Sequence, residues 1–536
     1  MTASAHAGHA SHNEASEADP GYRWRVLYVV MIGMMMAVID GSIVNIALPR
    51  MMSDFGSNVD DIEWVVTGYM LAFAILMPLT GWLRNTIGHR MLYILSLVMF
   101  TAGSVLCGLA WNLPSLIFFR IIQALGGGAI GPTSMSMISE VFPPQERGKA
   151  IGFWGMGIVV GPALGPTLGG WLTNHFGWRS IFLVNLPIGI IGTLMAISIL
   201  YRDIPHKDLR RPFDAWGFTF LSIFMGALLL AVSKGESEGW SSPLITGLFI
   251  LTAVSFAGFL LVESLTKDQV IDLSLFTNPV FSAVLIVSAI RSVALFGGIF
   301  LLPLFVQRLM GFDEISSGLL MLPGALMLGI FMPIGGWLGD KVGPRWPTLV
   351  GLIGLGYFMF LYRTLDINTS SWGVIAPTLL RGICMPLLMA PIIAAAMNSV
   401  PRHKTAMASS ILNVVQQVGG SIGIAALATV LQNRTHAHLG AMANQITATS
   451  SAFREASSGI MHRALDLGYS HAAAARLSGV AVAMNVNRGA TVAGFEDAFV
   501  FGAGLILIAI AAAFLLPSKP VQQNMAKSAD AVGAAE

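Results

Sequence analysis

The chain of 536 residues is poor in cysteine and in charge, and each shortage excludes a class of protein. Its two cysteines, Cys107 and Cys384, lie far apart in apolar runs, so we expect neither a disulfide framework nor a cysteine-based metal site. Charged residues make up 11% of the chain and hydrophobic residues 55%. Because a soluble domain carries about 25% charged residues, this composition predicts an integral membrane protein.

Three further absences concern function. No segment follows the pattern Gly-x-x-x-x-Gly-Lys-Ser/Thr, whose backbone cradles nucleotide phosphates, so ATP is not the expected energy source. The formal net charge is only +2, which gives no reason to expect a nucleic-acid partner. The sequence shows no constellation of nucleophile and base, so we expect no enzyme, and we predict no cofactor and no metal site.

Apolar runs long enough to cross a bilayer recur along the whole chain. About 20 helical residues span the roughly 30 Å of hydrocarbon. Fourteen runs are predicted, at about 24–47, 64–83, 91–110, 115–139, 149–172, 180–200, 213–232, 244–262, 280–307, 316–339, 346–365, 373–397, 406–431 and 497–516. An even number places both termini on one side, and the excess of lysine and arginine on that side predicts that it is cytoplasmic.

An internal repeat divides these runs into two halves. Gly81 to Arg90 reads GWLRNTIGHR and Gly336 to Arg345 reads GWLGDKVGPR, each between two predicted helices. Two bundles in the same orientation are therefore expected. The predicted segments are an N-terminal tail 1–23, a six-helix bundle 24–200, two inserted helices 201–270, a second six-helix bundle 271–516 and a C-terminal tail 517–536. The fold class is thus an all-α polytopic membrane protein, and the polar, alanine-rich interval 432–495 is predicted to be an external loop with one or two amphipathic helices.

The fifth predicted span carries glycines four residues apart. Gly157, Gly161, Gly165 and Gly169 form one smooth stripe on a helix, and Pro162 and Pro166 lie beside it. Small residues let membrane helices pack closely, so the stripe predicts at least a tight helix crossing.

Asp40 is the one acidic residue predicted to lie deep in a span. An ionised carboxylate in hydrocarbon is costly, so such a residue is usually functional or paired. The helical rise places Asp40 roughly 24 Å above the inner end of its helix and Arg120 roughly 9 Å below the outer face, so both fall in the outer third. We therefore expect them to be neighbours, either as a site that takes and releases a proton or as a static strut.

Several motifs together resemble the major facilitator superfamily, and within it the fourteen-helix drug:proton antiporters typified by EmrB. The motifs are Ile39 to Pro49, Leu116 to Gly127, Gly152 to Leu172, Trp178 to Gly189 and Asp272 to Phe276. The resemblance extends from about residue 24 to residue 516. Two positions depart from the superfamily pattern, since Asn85 stands where aspartate is usual and Ala124 where glycine is usual.

The resemblance implies proton-coupled efflux of amphipathic drugs or toxic compounds by alternating access, in a bacterial cytoplasmic (inner) membrane. It implies that Asp40 and Arg120 couple proton movement to transport and that the glycine stripe serves antiport, by sealing the halves against proton leakage. The two repeated loops would act as gates, in which Arg90, Asp340 and Arg345 form charged contacts between helix ends. Ordinary positive-inside anchoring is an alternative for Arg90 and Arg345, but it does not account for Asp340. The gating residues are Gly81, Gly88, Arg90, Gly336, Asp340, Gly343 and Arg345.

Other polar residues of the spans are candidates for the substrate cavity. They are Asn45, Gln123, Arg291, Arg381, Asn413, Gln416 and Gln417. The two arginines of the second half raise the count of deep arginines to three for one deep aspartate. Either carbonyl groups and water absorb the excess charge, or the cavity favours an anionic or zwitterionic substrate. The amide side chains of Asn413, Gln416 and Gln417, in the predicted span 406–431, would hydrogen-bond either a substrate or a neighbouring helix.

The expected partners are a small-molecule substrate and the lipid bilayer, with a proton gradient as the energy source. In EmrB-like systems a periplasmic adaptor and an outer-membrane channel also take part, and the interval 432–495 is their expected contact, although a flexible linker is equally compatible with its composition. A dedicated exporter of one metabolite, siderophore or antibiotic is the alternative function, and a non-transporting scaffold or receptor is a third.

Overall fold

The computed structural model describes residues 20–201, 213–266, 269, 271–312, 314–401, 404–445 and 451–519. Most of the predicted tails 1–23 and 517–536 lies outside these residues, and so do the side chains of Pro162 and Pro166. Every regular element in the described part is helical, which confirms the predicted all-α class.

The first half contains eight α-helices. They are α1 (Pro20–Phe55), α2 (Val59–Leu76), α3 (Thr80–Ile87), α4 (His89–Gly108), α5 (Leu113–Val141), α6 (Arg147–Phe176), α7 (Ser180–Leu183) and α8 (Asn185–Ile199). A capping box fixes the start of α5, because Asn112 Oδ1 accepts from the Ser115 amide at 2.8 Å and Ser115 Oγ accepts from the Asn112 amide at 3.2 Å. This start sets the depth of Arg120, which lies about two turns into the helix.

Two helices separate the halves, and seven more follow them. The separating pair is α9 (Ala215–Glu238) and α10 (Pro243–Leu265). The later helices are α11 (Pro279–Arg308), α12 (Glu314–Val342), α13 (Arg345–Leu361), α14 (Ser371–Asn398), α15 (Thr405–Gln445), α16 (Ser451–Asp466) and α17 (His471–Ala513). Helix α9 is tied to α2 by an ion pair of 2.6 Å between Lys234 Nζ and Glu63 Oε2.

Twelve helices of the described chain are long and apolar enough to cross a membrane. Two of the fourteen predicted spans, 149–172 and 346–365, are not among the twelve. They coincide with α6, where some side chains lie outside the description, and with α13, which has 17 residues. The chain is therefore a multi-pass helical membrane protein, and the count of fourteen crossings stays a prediction.

The interval 432–495, where one or two amphipathic helices are predicted, is mostly helical in its described part. Helix α15 continues to Gln445 and α17 begins at His471, so these helices have 41 and 43 residues and are each about 60 Å long. The short helix α16 packs against α17. Alanine has the highest helix propensity, which explains why α15 and α17 continue into this alanine-rich segment.

The two halves meet at one end of the bundle, which we call the inner end. Tyr22 lies there beside Tyr201, and Arg345 lies beside Pro517, so the described chain begins and finishes at this end. The most intimate contact between the halves joins α6 to α12. A Cβ atom on Gly152 of α6 would lie 2.5 Å from the carbonyl oxygen of Met332 in α12, so the two backbones touch.

Candidate functional site

Asp40 lies at the centre of a buried polar cluster. Its carboxylate is fully buried and accepts three hydrogen bonds. Arg120 Nη1 donates to Oδ2 at 2.7 Å, and the side-chain amides of Gln123 and Asn185 each donate to Oδ1 at 2.8 Å. Helices α1, α5 and α8 thus converge on one carboxylate, whose charge is balanced by one guanidinium.

A second set of contacts orients the groups that bind Asp40. Arg120 Nη1 also donates to Gln123 Oε1 at 2.7 Å, and its guanidinium carbon lies 3.9 Å from the centre of the Tyr69 ring. The Asn185 amide also donates to Ser104 Oγ at 2.9 Å. Sequence reasoning did not assign Asn185 or Ser104 to the site. The available signal was a polar amide in an otherwise apolar run, within the motif that begins at Trp178.

The Asp40 carboxylate and the Arg120 guanidinium form one buried ion pair. Three of the about four lone-pair positions of the Asp40 carboxylate accept hydrogen bonds, and the donors lie on α5 and α8. Protonation would in turn leave the guanidinium without its anion. The hydrogen bonds of Asp40 therefore hold only while α1, α5 and α8 keep their relative positions.

In the described part of the second half, no carboxylate pairs with the two deep arginines. Arg291 of α11 is 2% exposed, and its hydrogen bond runs to the Oγ of neighbouring Ser292 at 3.5 Å. Arg381 of α14 is 8% exposed, its Nε has no hydrogen-bond partner, and its guanidinium carbon lies 5.7 Å from the centre of the Phe358 ring. The structure does not bring either arginine into contact with Asp40.

The repeated loops differ in what their charged residues contact. Asp340, at the end of α12, accepts hydrogen bonds from the backbone amides of Gly148 at 3.0 Å and Lys149 at 2.8 Å, which lie in the first turn of α6. A carboxylate at a helix N-terminus satisfies free amide groups and complements the helix dipole. Asp340 therefore caps a helix of the opposite half.

Each loop arginine donates to a backbone carbonyl near the end of a helix, and its part in charged contacts between helix ends stays a prediction. Arg90 Nη2 donates to the carbonyl of Ile197 at 2.7 Å, and Arg345 Nε donates to the carbonyl of Leu516 at 2.7 Å. Each arginine thus bonds the C-terminal carbonyls of a helix in its own half. Carbonyl groups left free at a helix end attract a nearby cation, which explains this outcome.

The loop glycines serve turns and close contacts. Gly88 and Gly343 have φ of +83° and +94°, a conformation that residues with a Cβ atom rarely adopt. Gly81 packs against Met407 of the opposite half, where an added Cβ atom would lie 3.5 Å from the Met407 Cα. Gly336 lies against the backbone of Gly148, also across the two halves.

The glycine stripe of α6 forms the tight helix crossing that its spacing predicts, whereas a part in sealing the halves stays a prediction. Its members pack against α1 of the same half, with Gly161 on Val38, Gly165 on Ser42 and Gly169 on Ile43, while Gly157 lies near Met35. A second set, Gly148, Gly152 and Gly155, lies on the other face of α6 and contacts α12. Sequence reasoning missed this second face because the longer, more regular stripe dominates the pattern.

The remaining candidates are dispersed. Asn45 is exposed. Asn413 donates to the Ser409 carbonyl at 2.7 Å and lies near Gly131 of the first half. Gln416 and Gln417 are half-buried, and Nε2 of Gln416 has no hydrogen-bond partner.

An open cavity of about 660 Å³ lies at the outer ends of the first-half helices. Two acidic and two indole side chains belong to its lining, namely Asp54, Asp61, Trp64 and Trp111. It is separate from the Asp40 cluster, with which it shares no lining residue.

An ion pair at the inner end joins the segment before α11 to the start of α15. Lys404 Nζ lies 2.5 Å from Asp272 Oδ2. Partial burial raises the pKa of Asp272, but hydrogen bonds from Lys404 and Ser274 outweigh it, so the net shift is downward.

Comparisons with known proteins agree with this architecture. The profile described as Major Facilitator Superfamily matches residues 30–424. The Multidrug resistance protein B homolog of Mycobacterium tuberculosis is 34% identical over 440 residues, which cover 79% of each chain. The Multidrug export protein EmrB of Haemophilus influenzae is 31% identical over 407 residues, 75% of this chain and 79% of that protein. The crystal structure of the human organic anion transporter MFSD10 (TETRAN) has a TM-score of 0.60 at 14% identity and covers 92% of this chain and 99% of that chain, a likeness in fold.

Proposed function

Because the chain belongs to the major facilitator superfamily, whose members are transporters, we propose that it is a drug:proton antiporter. It exports amphipathic drugs or toxic compounds and exchanges them for protons by alternating access. The observation that carries the proposal is the ion pair of Asp40 and Arg120 inside the first half. The relatives named for multidrug resistance and multidrug export support drugs as the substrate class.

The energetics of the pair suit proton coupling. A buried carboxylate and guanidinium stabilise each other only while they are together, and removing one partner costs about 3–5 kcal/mol. Protonation of Asp40 has a similar effect to removing its charge, so it weakens the hold of α1 on α5. The free energy of proton binding to Asp40 can thereby be used to favour a different arrangement of these helices.

Contacts between the halves support an outward-facing state. Asp340 caps α6, Gly152 contacts Met332, and Arg147 Nη1 donates to Asn398 Oδ1 at 2.6 Å, all near the inner end. Rocking one half against the other would separate these contacts and open the inner side. In the proposed orientation the inner end is cytoplasmic and the membrane is the bacterial inner membrane, as the distribution of lysine and arginine favours.

Proton flux in proteoliposomes tests the proposal. Purified protein would be reconstituted with a pH-sensitive dye inside, a pH gradient imposed, and candidate cationic and anionic drugs added. We expect drug-dependent proton release in the wild type and in Asp61→Asn, whose carboxylate is exposed, and none in Asp40→Asn. Flux that persists in Asp40→Asn would place the coupling carboxylate elsewhere. Absence of flux with every drug would favour a dedicated exporter of one compound.

We also propose that the helical extensions α15–α17 contact a periplasmic adaptor that leads to an outer-membrane channel. Leu477, Val480 and Met484 of α17 are exposed and lie three or four residues apart, so they share one helix face. An apolar face of this kind suits helix packing by a partner. Crosslinking from a photoreactive residue at position 480 in cells tests the contact, and failure to trap any adaptor would contradict it.

A further inference from the structure

The close contacts of glycines align the two halves residue by residue. In each half, two glycines four residues apart rest on the first helix. The contacts pair Gly161 with Val38, Gly165 with Ser42, Gly419 with Ala289 and Gly423 with Val293. Both contacted residues of α1 are offset from those of α11 by 251 residues. At this offset, Arg291 is the counterpart of Asp40.

A second set of contacts aligns the helices that carry the other arginines. A Cβ atom on Gly103 of α4 would lie 2.6 Å from the Cα of Gln123 in α5, and a Cβ atom on Gly354 of α13 would touch the sulfur of Cys384 in α14. The glycines are again offset by 251 residues and their contacts by 261. Arg120 precedes Gln123 by three residues, and Arg381 precedes Cys384 by three residues. Arg381 is therefore the counterpart of Arg120.

The two halves thus hold opposite charge patterns at equivalent positions. The first half has an aspartate and an arginine 2.7 Å apart, whereas the second half has two arginines. Among the residues that the structure describes, no carboxylate forms an ion pair with Arg291 or Arg381. Guanidinium groups remain protonated in proteins, so Arg291 and Arg381 bury two positive charges. At the equivalent positions of the first half, the charges of Asp40 and Arg120 sum to zero.

Polar and aromatic groups surround these two charges. Ser288 and Ser292 lie next to Arg291 on α11, and Oγ of Ser288 is buried without a hydrogen-bond partner. Phe358 of α13 and Tyr362, which directly follows α13, lie beside Arg381, and their rings are 4.7 Å apart. Buried charge of one sign is costly, so an anion that reaches Arg291 and Arg381 would stabilise the folded protein. The aromatic rings would accommodate an apolar body attached to that anion.

We propose that Arg291 and Arg381 bind the oxyanion of an amphipathic organic substrate, such as a carboxylate or a sulfonate. This inference rests on the proposed function and names its substrate class. Guanidinium groups recognise carboxylates and similar oxyanions by paired hydrogen bonds. Nε of Arg381 has no hydrogen-bond partner, and the hydrogen bond of Arg291 to Ser292 is long, at 3.5 Å. The first half then carries the proton site and the second half the charge-selective substrate site.

Binding to the purified protein in phosphatidylcholine nanodiscs tests the site. The probes are tritiated taurocholate, an amphipathic sulfonate, and tritiated tetraphenylphosphonium, an amphipathic cation. We expect saturable taurocholate binding that weakens at least tenfold in Arg291→Gln or Arg381→Gln and stays within about threefold of the wild type in Arg308→Gln. Arg308 lies exposed at the end of the same helix and serves as the matched control.

Thermal unfolding controls for folding defects and gives a second readout. Replacement of an unpaired buried arginine by methionine should not lower the unfolding temperature in the absence of an anion. Taurocholate should raise the unfolding temperature of the wild type but not of the Arg291→Met/Arg381→Met double variant. Tetraphenylphosphonium should act equally on both proteins.

Four outcomes would overturn the inference. They are absence of saturable taurocholate binding to the wild type, unchanged binding in the folded double variant, full displacement by sulfate alone, and competition by phosphatidylglycerol in the disc. The last two would assign the arginines to an inorganic ion or to a lipid headgroup. Proton flux separates this inference from the proposed function, because loss of drug-driven flux in Asp40→Asn does not depend on the anion site.

Discussion

At the scale of single residues, the Asp40 cluster joins three helices through one buried carboxylate. Every oxygen of the carboxylate is bonded, and the donors come from two other helices. Such a cluster stabilises one arrangement of the helices strongly and disfavours intermediate ones. The coupling free energy between Asp40 and Arg120 is therefore measured by removing one charge and then both.

The Arg120→Met substitution should be more damaging than a double change. Methionine leaves Asp40 buried without its cation, so we expect the free energy of unfolding to fall by about 3–5 kcal/mol. In Asp40→Asn/Arg120→Met neither charge remains, and most of that loss should be recovered. Reversible unfolding in mixed detergent micelles measures both. Arg308→Met, at an exposed position, should change stability by no more than about 0.5 kcal/mol. Equal losses in the single and the double variant would show that the two charges are not coupled.

The pairing of Asp40 with Arg120 was predictable from the sequence because straight helices have a fixed rise. Counting residues from each helix end gave two depths that agree. The count says nothing about rotation of a helix around its axis, however. Asn185 was missed for this reason, since its place in the cluster depends on the direction in which the first turn of α8 faces.

At the scale of elements, α6 shows the same limit. One set of its glycines packs against α1 and another against α12. In the sequence, both sets are small residues at helical spacing. The sequence predicts close packing on each face but not which neighbour each face meets. Likewise, the repeat predicted two similar loops, but the carbonyl partners of Arg90 and Arg345 depend on where α8 and α17 end. The helical extension beyond residue 432 was underestimated because hydropathy marks where the membrane ends and not where the helix ends.

The two faces of α6 predict different defects. Gly152→Leu would collide with the Met332 carbonyl across the halves, so we expect it to open the inner end while each half stays folded. Gly161→Leu would collide with Val38 within the first half and should lower stability instead. Gly170→Leu is the control, because nothing lies within 4 Å of its Cβ position.

Spin labels on Lys149→Cys and Lys341→Cys, two exposed positions at the inner ends of α6 and α12, measure the opening by electron–electron resonance. The native cysteines are buried, so labelling is confined to the new sites. A lengthened distance is expected for Gly152→Leu only. The same distance distribution in Gly152→Leu and Gly170→Leu would contradict this assignment of the two faces.

At the scale of the whole molecule, closure of the inner end is asymmetric. Asp340 in the second-half loop caps α6 across the halves, whereas its counterpart in the first-half loop is Asn85, which carries no charge. Closure therefore depends on one charged cap more than on the other loop. A cap is worth about 0.5–2 kcal/mol, which corresponds to about a 2-fold to 30-fold change in a population ratio.

Loss of this cap should shift the whole molecule toward inward opening. In Asp340→Ala the amides of Gly148 and Lys149 lose their acceptor, so the open population seen with the same pair of labels should rise within that range. Asp340→Asn keeps one oxygen acceptor but no charge, and it should fall between Asp340→Ala and the wild type. Asp366→Ala, which changes an exposed acid at the start of the loop before α14, should leave the distances unchanged. If Asp340→Ala matched Asp366→Ala, closure would rest on the packed backbones of α6 and α12 alone, and transport would tolerate the loss of the carboxylate.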